Sequence, residues 1–250
     1  MEESNITPRS TNGRGPEIST EIVPVPSRHL PAHIWRSGAE MQYAREFRRR
    51  SGLDFEWMVG QLIDAAEPNP GDRALDVATG TGYIARQMAL RVGPTGSVTG
   101  VDEEPEAIEG ARLGAQSAGL TLRTEWRIAP ANSLLFPDNS FDIVTCAAAF
   151  HRLPTTEFLS EAHRVLKPGG RLILTDELKS PIGPLWLWIV ALRGYDRIRR
   201  REQPAPNEQF YLAEEIVGML TDTGFAGSLI RGLQPRNRRG RAFSLVKAVK

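Results

Sequence analysis

Short apolar runs and amphipathic stretches alternate along the middle of the chain. Runs near 73 to 77, 97 to 102, 122 to 128, 141 to 146 and 171 to 176 have the length and composition of strands. Between them, stretches near 81 to 91, 104 to 117 and 155 to 166 repeat apolar residues at helical spacing. Strands alternating with helices predict an α/β fold, a doubly wound, Rossmann-like, mainly parallel sheet with helices on both faces. A helix near 213 to 223 and two strands near 227 to 233 and 242 to 249 follow. Upstream, helical patterns cover 37 to 50 and 54 to 67, the second preceded by Asp54 in capping position. The predicted organisation is a disordered tail over 1–27, rich in Pro, Ser, Thr and Gly, and an N-terminal helical lid over 28–70. The main domain is then 71–250, interrupted by a lid insertion at 178–207.

Composition narrows the function classes. The chain has 250 residues, 40% hydrophobic and 24% charged, as expected of one soluble globular enzyme-sized domain. Its single cysteine, Cys146, lies in an apolar strand, so neither a disulfide framework nor a cysteine metal site is expected. The four histidines, His29, His33, His151 and His163, show no ligand spacing, and no metal is expected. No run approaches ~20 apolar residues and no leader pattern opens the chain, so a cytoplasmic address is expected.

The densest chemical signal is Leu75-Asp76-Val77-Ala78-Thr79-Gly80-Thr81-Gly82, followed by a second strand that ends on Asp102. Gly80 and Gly82 lack the Cβ atoms that keep a ligand from the backbone. The helix that starts beside them turns unpaired N–H groups toward the same ligand. Asp102, at a strand's carboxyl end, lies where an acid accepts both hydroxyls of a ribose. The pattern predicts an adenosine-containing cofactor, and both a dinucleotide and S-adenosyl-L-methionine fit the turn. Asp76 separates them: a carboxylate there repels a pyrophosphate and attracts an ammonium and a sulfonium.

With three more blocks, the chain resembles the class I S-adenosylmethionine-dependent methyltransferases, in particular the small-molecule branch that includes the quinone-biosynthesis C-methyltransferases. The further blocks are Val101-Asp102, Leu134 to Cys146, and Glu161 to Asp176 with its Arg164-Val165-Leu166-Lys167-Pro168-Gly169-Gly170 core. The resemblance implies a seven-stranded sheet whose last strand is antiparallel. It also implies that Asp76, Ala78, Gly80 and Gly82 surround the methionine part of the cofactor, Asp102 holds the ribose, and Glu103 flanks the adenine. Relatives usually carry an acid after the third strand to take the adenine amino group; here that position is Pro130, which has neither carboxylate nor N–H. Ala131 and the Asn132 amide are then expected to serve the adenine, with Ala147, after the fourth strand, also on the cofactor.

The implied activity is direct methyl transfer to a small, apolar or aromatic acceptor. Pro130 motivates one alternative, a methyltransferase-like binding or scaffold protein without turnover. His151, following the fourth strand, is the candidate proton acceptor; Tyr43 and Tyr211 are weaker candidates. In the insertion, Leu185, Trp188, Ile189 and Leu192 share a helical face beside Arg193, Arg197 and Arg199 to Arg201. The segment 184–201 is therefore expected to pack on the domain, line an acceptor pocket or touch a membrane peripherally. Residues 181–250 hold 12 Lys and Arg against 6 Asp and Glu, a basic end compatible with an anionic surface. No nucleic-acid partner is expected, since no Asn-Pro-Pro-Tyr-like motif is present and aromatics are not interleaved with the arginines.

Overall fold

The computed structural model describes residues 17–19, 38–179, 208–233 and 241–250. The elements run β1 (Glu17–Ser19), α1 (Gly38–Ser51), α2 (Phe55–Ala66), β2 (Arg73–Val77), α3 (Tyr83–Val92), β3 (Ser97–Asp102), α4 (Pro105–Ser117) and β4 (Thr124–Ile128). They continue with β5 (Phe141–Ala147), a 3₁₀ turn (Phe150–Arg152), α5 (Thr155–Val165), β6 (Leu166–Lys179), α6 (Ala213–Thr223), β7 (Ala226–Gly232) and β8 (Arg241–Val249). The sheet order is β1-β7-β8-β6-β5-β2-β3-β4. β2 to β6 pair in parallel, and β8 runs antiparallel to both β6 and β7. The doubly wound sheet with an antiparallel last strand is therefore the observed fold.

Alternation of side chains fills both faces. Leu75, Val144, Leu172 and Leu174 pack with Phe158 and Leu159 of α5 and Ile216 and Leu220 of α6. Their neighbours Ala74, Ile143 and Ile173 point the other way, onto Met58 and Leu62 of α2 and Ile84 and Met88 of α3. Each such large apolar side chain contributes about 1.5–3 kcal/mol on burial. From β2 the chain winds out through β3 to β4, then returns to β5 on the other side of β2, which opens a crevice at the carboxyl ends of these strands.

Four expectations need correction or relocation. Within the tail expected to be disordered, Glu17–Ser19 adds to the free edge of β7 in parallel, which satisfies backbone groups an edge strand leaves unpaired; the rest of 1–27 lies outside the described residues. In the expected lid over 28–70, α2 belongs to the core: Met58, Val59, Leu62, Ile63 and Ala66 are fully buried, and only Phe55 reaches the crevice. Asp54 does cap it, accepting from the Trp57 amide at 3.1 Å. The stretch Lys167-Pro168-Gly169-Gly170 reads in sequence as a stop for the preceding helix, with glycine free to turn left-handed; α5 does end just before it, but the stretch is part of β6, where pairing slips from Phe141–Leu166 to Ile143–Arg171 and Gly169 takes φ 76° as the surplus residues bulge. Beyond Lys179, the insertion with its 184–201 segment lies outside the described residues until Glu208. Among the described residues no helix is long and apolar enough to cross a membrane.

One side chain sets the fit between β3, β4 and the glycine turn. A Cβ on Gly100 would stand 2.5 Å from the Trp126 ring, and one on Gly82 would stand 2.4 Å from it. The indole thus occupies a slot that two glycines leave open. Gly100→Ala is expected to lose about 1–3 kcal/mol in urea unfolding. Adding Trp126→Leu in that background should cost at least about 1 kcal/mol less than it does in the wild type; strictly additive losses would show that the indole is not what the glycine accommodates.

Candidate functional site

A cavity of about 630 Å³ occupies the crevice, within the ~300–1,000 Å³ range of pockets that take small ligands. Its walls come from the segments that follow β2 (Ala78 to Thr81), β3 (Asp102 to Glu104), β4 (Ala129 to Asn132) and β5 (Ala147 to Ala149). Arg152, Leu153 and Pro154 form one rim; Glu40 and Tyr43 of α1 and Phe55 of α2 form another. Of the residues expected from sequence, Ala78, Gly80, Asp102, Glu103, Ala131, Asn132 and Ala147 meet on this one wall, with Pro130 among them.

The glycine turn is tied down at three of its residues. The Thr79 amide donates to Val101 O at 3.0 Å, the Gly80 amide to Asp102 Oδ2 at 2.8 Å, and the Gly82 amide to Thr79 O at 2.9 Å. The other Asp102 oxygen accepts from the Glu104 amide at 3.1 Å. Gly80 has φ 55°, in the left-handed region, and no atom within 4 Å of where a Cβ would stand, so its backbone is open to the cavity. Ala78 and Ala148 adopt the same region, φ 55° and 53°, without being glycine. Each stores about 1–2 kcal/mol of backbone strain beside the cavity.

Two expected residues lie beneath the wall. Gly82 faces Trp126 and serves packing. Asp76 is buried at 2% exposure, and its carboxylate accepts from the hydroxyls of Thr79 at 2.6 Å and Thr145 at 2.7 Å. It supports the turn through Thr79 and does not line the cavity, because two hydroxyl donors draw it inward. Burial raises its pKa to about 6, against the pull of those two hydrogen bonds. His151 lies in an adjoining, smaller cavity. Tyr211 is on neither cavity; its hydroxyl is within 2.8 Å of Thr155 Oγ1 and donates to Gln209 Oε1 at 2.6 Å.

α1, expected from sequence as part of a lid, does rim the cavity, but nothing in the sequence pointed to the contacts of its Glu40. Glu40, 6% exposed, accepts from Arg86 Nη2 at 2.6 Å and from Thr81 Oγ1 at 3.0 Å, while Arg86 Nη1 donates to Thr81 O at 2.7 Å. Partners 41 and 46 residues apart leave no local signal. Among the described residues the cavity wall carries Asp102, Glu103 and Glu104, with Glu40 in its ion pair with Arg86, against Arg152, a field that suits a cationic ligand and opposes a polyanionic one. The open backbone at Gly80 and this acidic lining together fit a sulfonium-bearing nucleoside.

Residues 68–184 match the methyltransferase-domain family. The ubiquinone/menaquinone biosynthesis C-methyltransferase of Geotalea daltonii is 36% identical over 126 residues, 50% of this chain and 53% of that protein. The demethylmenaquinone methyltransferase of Thermus thermophilus is 38% identical over 137 residues, 54% and 60% of the two chains. The chain thus matches little more than half the length of these relatives. A solved S-adenosylmethionine-dependent methyltransferase from Methanosarcina mazei superposes with a TM-score of 0.54 at 26% identity, over 73% of this chain and 93% of that one.

Because Asp76 has its pKa raised from 3.8 to about 6, the fold favours the neutral acid. Stability is then fully present below the unfolded value and is lost as pH climbs to the folded one. Asp76→Asn removes that loss, so its stability relative to wild type should rise by about 2–3 kcal/mol between about pH 4 and about pH 7. Urea unfolding across that range checks it; parallel profiles would show that the carboxyl titrates normally.

Proposed function

We propose that this chain, which carries a class I S-adenosylmethionine-dependent methyltransferase domain, transfers a methyl group from that cofactor to a small acceptor built on an aromatic ring. The observation that carries the reading is the acid-lined cavity at the switch point, with the Gly80 backbone open to it. An aromatic acceptor is supported by the names of the relatives, two of which act in quinone biosynthesis or on demethylmenaquinone, and by Tyr43 and Phe55 at the rim.

The residues divide the work by position. Ala78 and Gly80 bring bare backbone to the methionine end, while Glu40, paired with Arg86, forms part of the rim. Asp102, although bonded to two amides, keeps lone pairs for a ribose diol. Asn132 and the backbone at Ala131 offer polar partners for an adenine, beside the flat Pro130 ring. Bound there, the cofactor supplies a methyl group already activated by its sulfonium. What the protein adds is alignment: α1 covers the cavity, and the strained turns at Ala78 and Ala148 fix the walls between which an acceptor must lie.

Calorimetric titration tests the premise. S-Adenosylmethionine and S-adenosylhomocysteine are expected to bind saturably and NADH not at all, with Asp102→Ala weakening the first two by about 10- to 100-fold, the loss of charge-assisted hydrogen bonds worth about 1.5–3 kcal/mol. Binding of NADH alone, or of none of the three, would overturn the assignment.

A further inference from the structure

The eight-stranded sheet has two outer edges, and the chain treats them differently. β1 covers the edge of β7, whereas on the other side the order ends at β4, with no strand beyond it among the described residues. Backbone bonds fix which groups this edge presents. The Val98 amide donates to Arg123 O at 2.9 Å and the Ala129 amide to Asp102 O at 2.9 Å, so the odd-numbered positions of β4 turn their amides and carbonyls toward β3. The even-numbered ones, Thr124, Trp126 and Ile128, turn theirs outward, a row of donors and acceptors of the kind that takes up another strand. Pairing with β3 runs without a break from Val98–Thr124 to Asp102–Ile128, so neither a bulge nor a proline blunts the strand. Large apolar side chains lie beside it: Leu122 is fully exposed, Leu135 75% and Ile128 58%.

Glu125 and Arg127 decide what this strand accepts. Two positions apart, they share one face of the sheet, where Arg127 Nη2 stands 2.7 Å from Glu125 Oε1 with both side chains about half exposed. The arginine is held in place: its guanidinium lies 4.7 Å from the centre of the Phe136 ring, and Nη1 donates to Leu135 O at 3.5 Å. Trp126, between the two charges, points to the other face and into the slot left by Gly82 and Gly100. Acid, centre, base is a sequence that complements itself when reversed. A second β4 laid antiparallel, with outward groups facing outward groups and Trp126 at the centre, sets Glu125 opposite the partner's Arg127 and Arg127 opposite the partner's Glu125. These are the close, non-hydrogen-bonded pairs, while Thr124, Trp126 and Ile128 exchange backbone bonds with the partner's Ile128, the partner's Trp126 and the partner's Thr124. Neighbouring registers bring like charges together: centred on Glu125 the strands oppose two glutamates, and centred on Arg127 two arginines.

We propose that the β4 edge is a homodimer interface, in which two copies of this chain join antiparallel about a two-fold axis at Trp126 and the sheet of one runs on into the sheet of the other. An isologous contact of this kind uses up the edge on both copies, so assembly closes at two. Continued past the strand ends, the same register brings Leu122 toward the partner's Pro130, which belongs to the wall of the large cavity. The interface therefore runs up to the segment that follows β4 in the site. It does not depend on the reaction the site performs.

Sedimentation velocity of the full chain over a wide range of concentration reads the association, at low ionic strength where exposed charge pairs are least screened. Wild type, Glu125→Arg, Arg127→Glu, the double reversal carrying both changes, and an equimolar mixture of the two single reversals are compared, with thermal transitions checked in parallel. The wild type is expected to reach twice the monomer mass and no more. Each single reversal turns both attractive cross-strand pairs into repulsive ones and should raise the dimer dissociation constant by about tenfold or more. The double reversal restores opposite charges at both pairs and should dimerise as the wild type does. In the mixture, a strand with two arginines meets a strand with two glutamates, and a heterodimer should form that neither variant forms alone. A wild type that keeps the monomer mass at every concentration, assembly beyond two copies, single reversals that dimerise like the wild type, or a mixture that fails to associate would each overturn the proposal.

Discussion

The hydrogen bond from the Gly80 amide to the Asp102 carboxylate is the constraint on which the site depends. It joins the turn after β2 to the turn after β3, and both partners of the 2.8 Å contact line the crevice. A glycine in the left-handed region has no side chain to fix its turn, so the aspartate fixes it from outside. Thr79, bonded to Asp76 below and to Val101 beside it, does the same from inside the sheet. The cavity wall is therefore preorganised by hydrogen bonds made before any ligand arrives.

Two alanines share the backbone conformation of Gly80. Ala78 and Ala148 terminate β2 and β5, the two central strands between which the winding reverses, and both line the cavity. Strain at these positions is sustained by ladder bonds on either side, including the 2.7 Å bond from the Ala148 amide to Thr175 O. The sheet thus holds in place a wall that the same residues would not adopt in a free peptide.

Sequence was most informative where structure is local. Apolar runs located β2, β3, β5 and β6 because helices cover both faces of these strands, and helical spacing located α3 to α5 because each buries a side against the sheet. The glycine turn and Asp102 were legible for the same reason, being contiguous or one βαβ unit apart. Gly82 was legible as a glycine but not in its reason, since the ring it makes room for stands on β4, 44 positions later. Asp176 was visible only as the end of a motif, and its hold on His151 arises from the juxtaposition of β5 and β6. The outward turn of Lys167 to Gly170 resembles a helix stop in sequence, and only the pairing of β6 with β5 makes it a bulge.

The buried pair of Glu40 and Arg86 has a consequence for where this domain begins. Arg86 lies on α3, inside the span that matches the methyltransferase-domain family, whereas Glu40 lies 28 positions before that span starts. Cutting the chain at residue 68 would leave a guanidinium at 2% exposure without its carboxylate, a loss of about 3–5 kcal/mol for a pair of this kind. It would also uncover the apolar face that α2 shields. The stretch that matches the family is thus smaller than the packed unit: α1 and α2 are foundations of the half that bears the cavity, not additions to it.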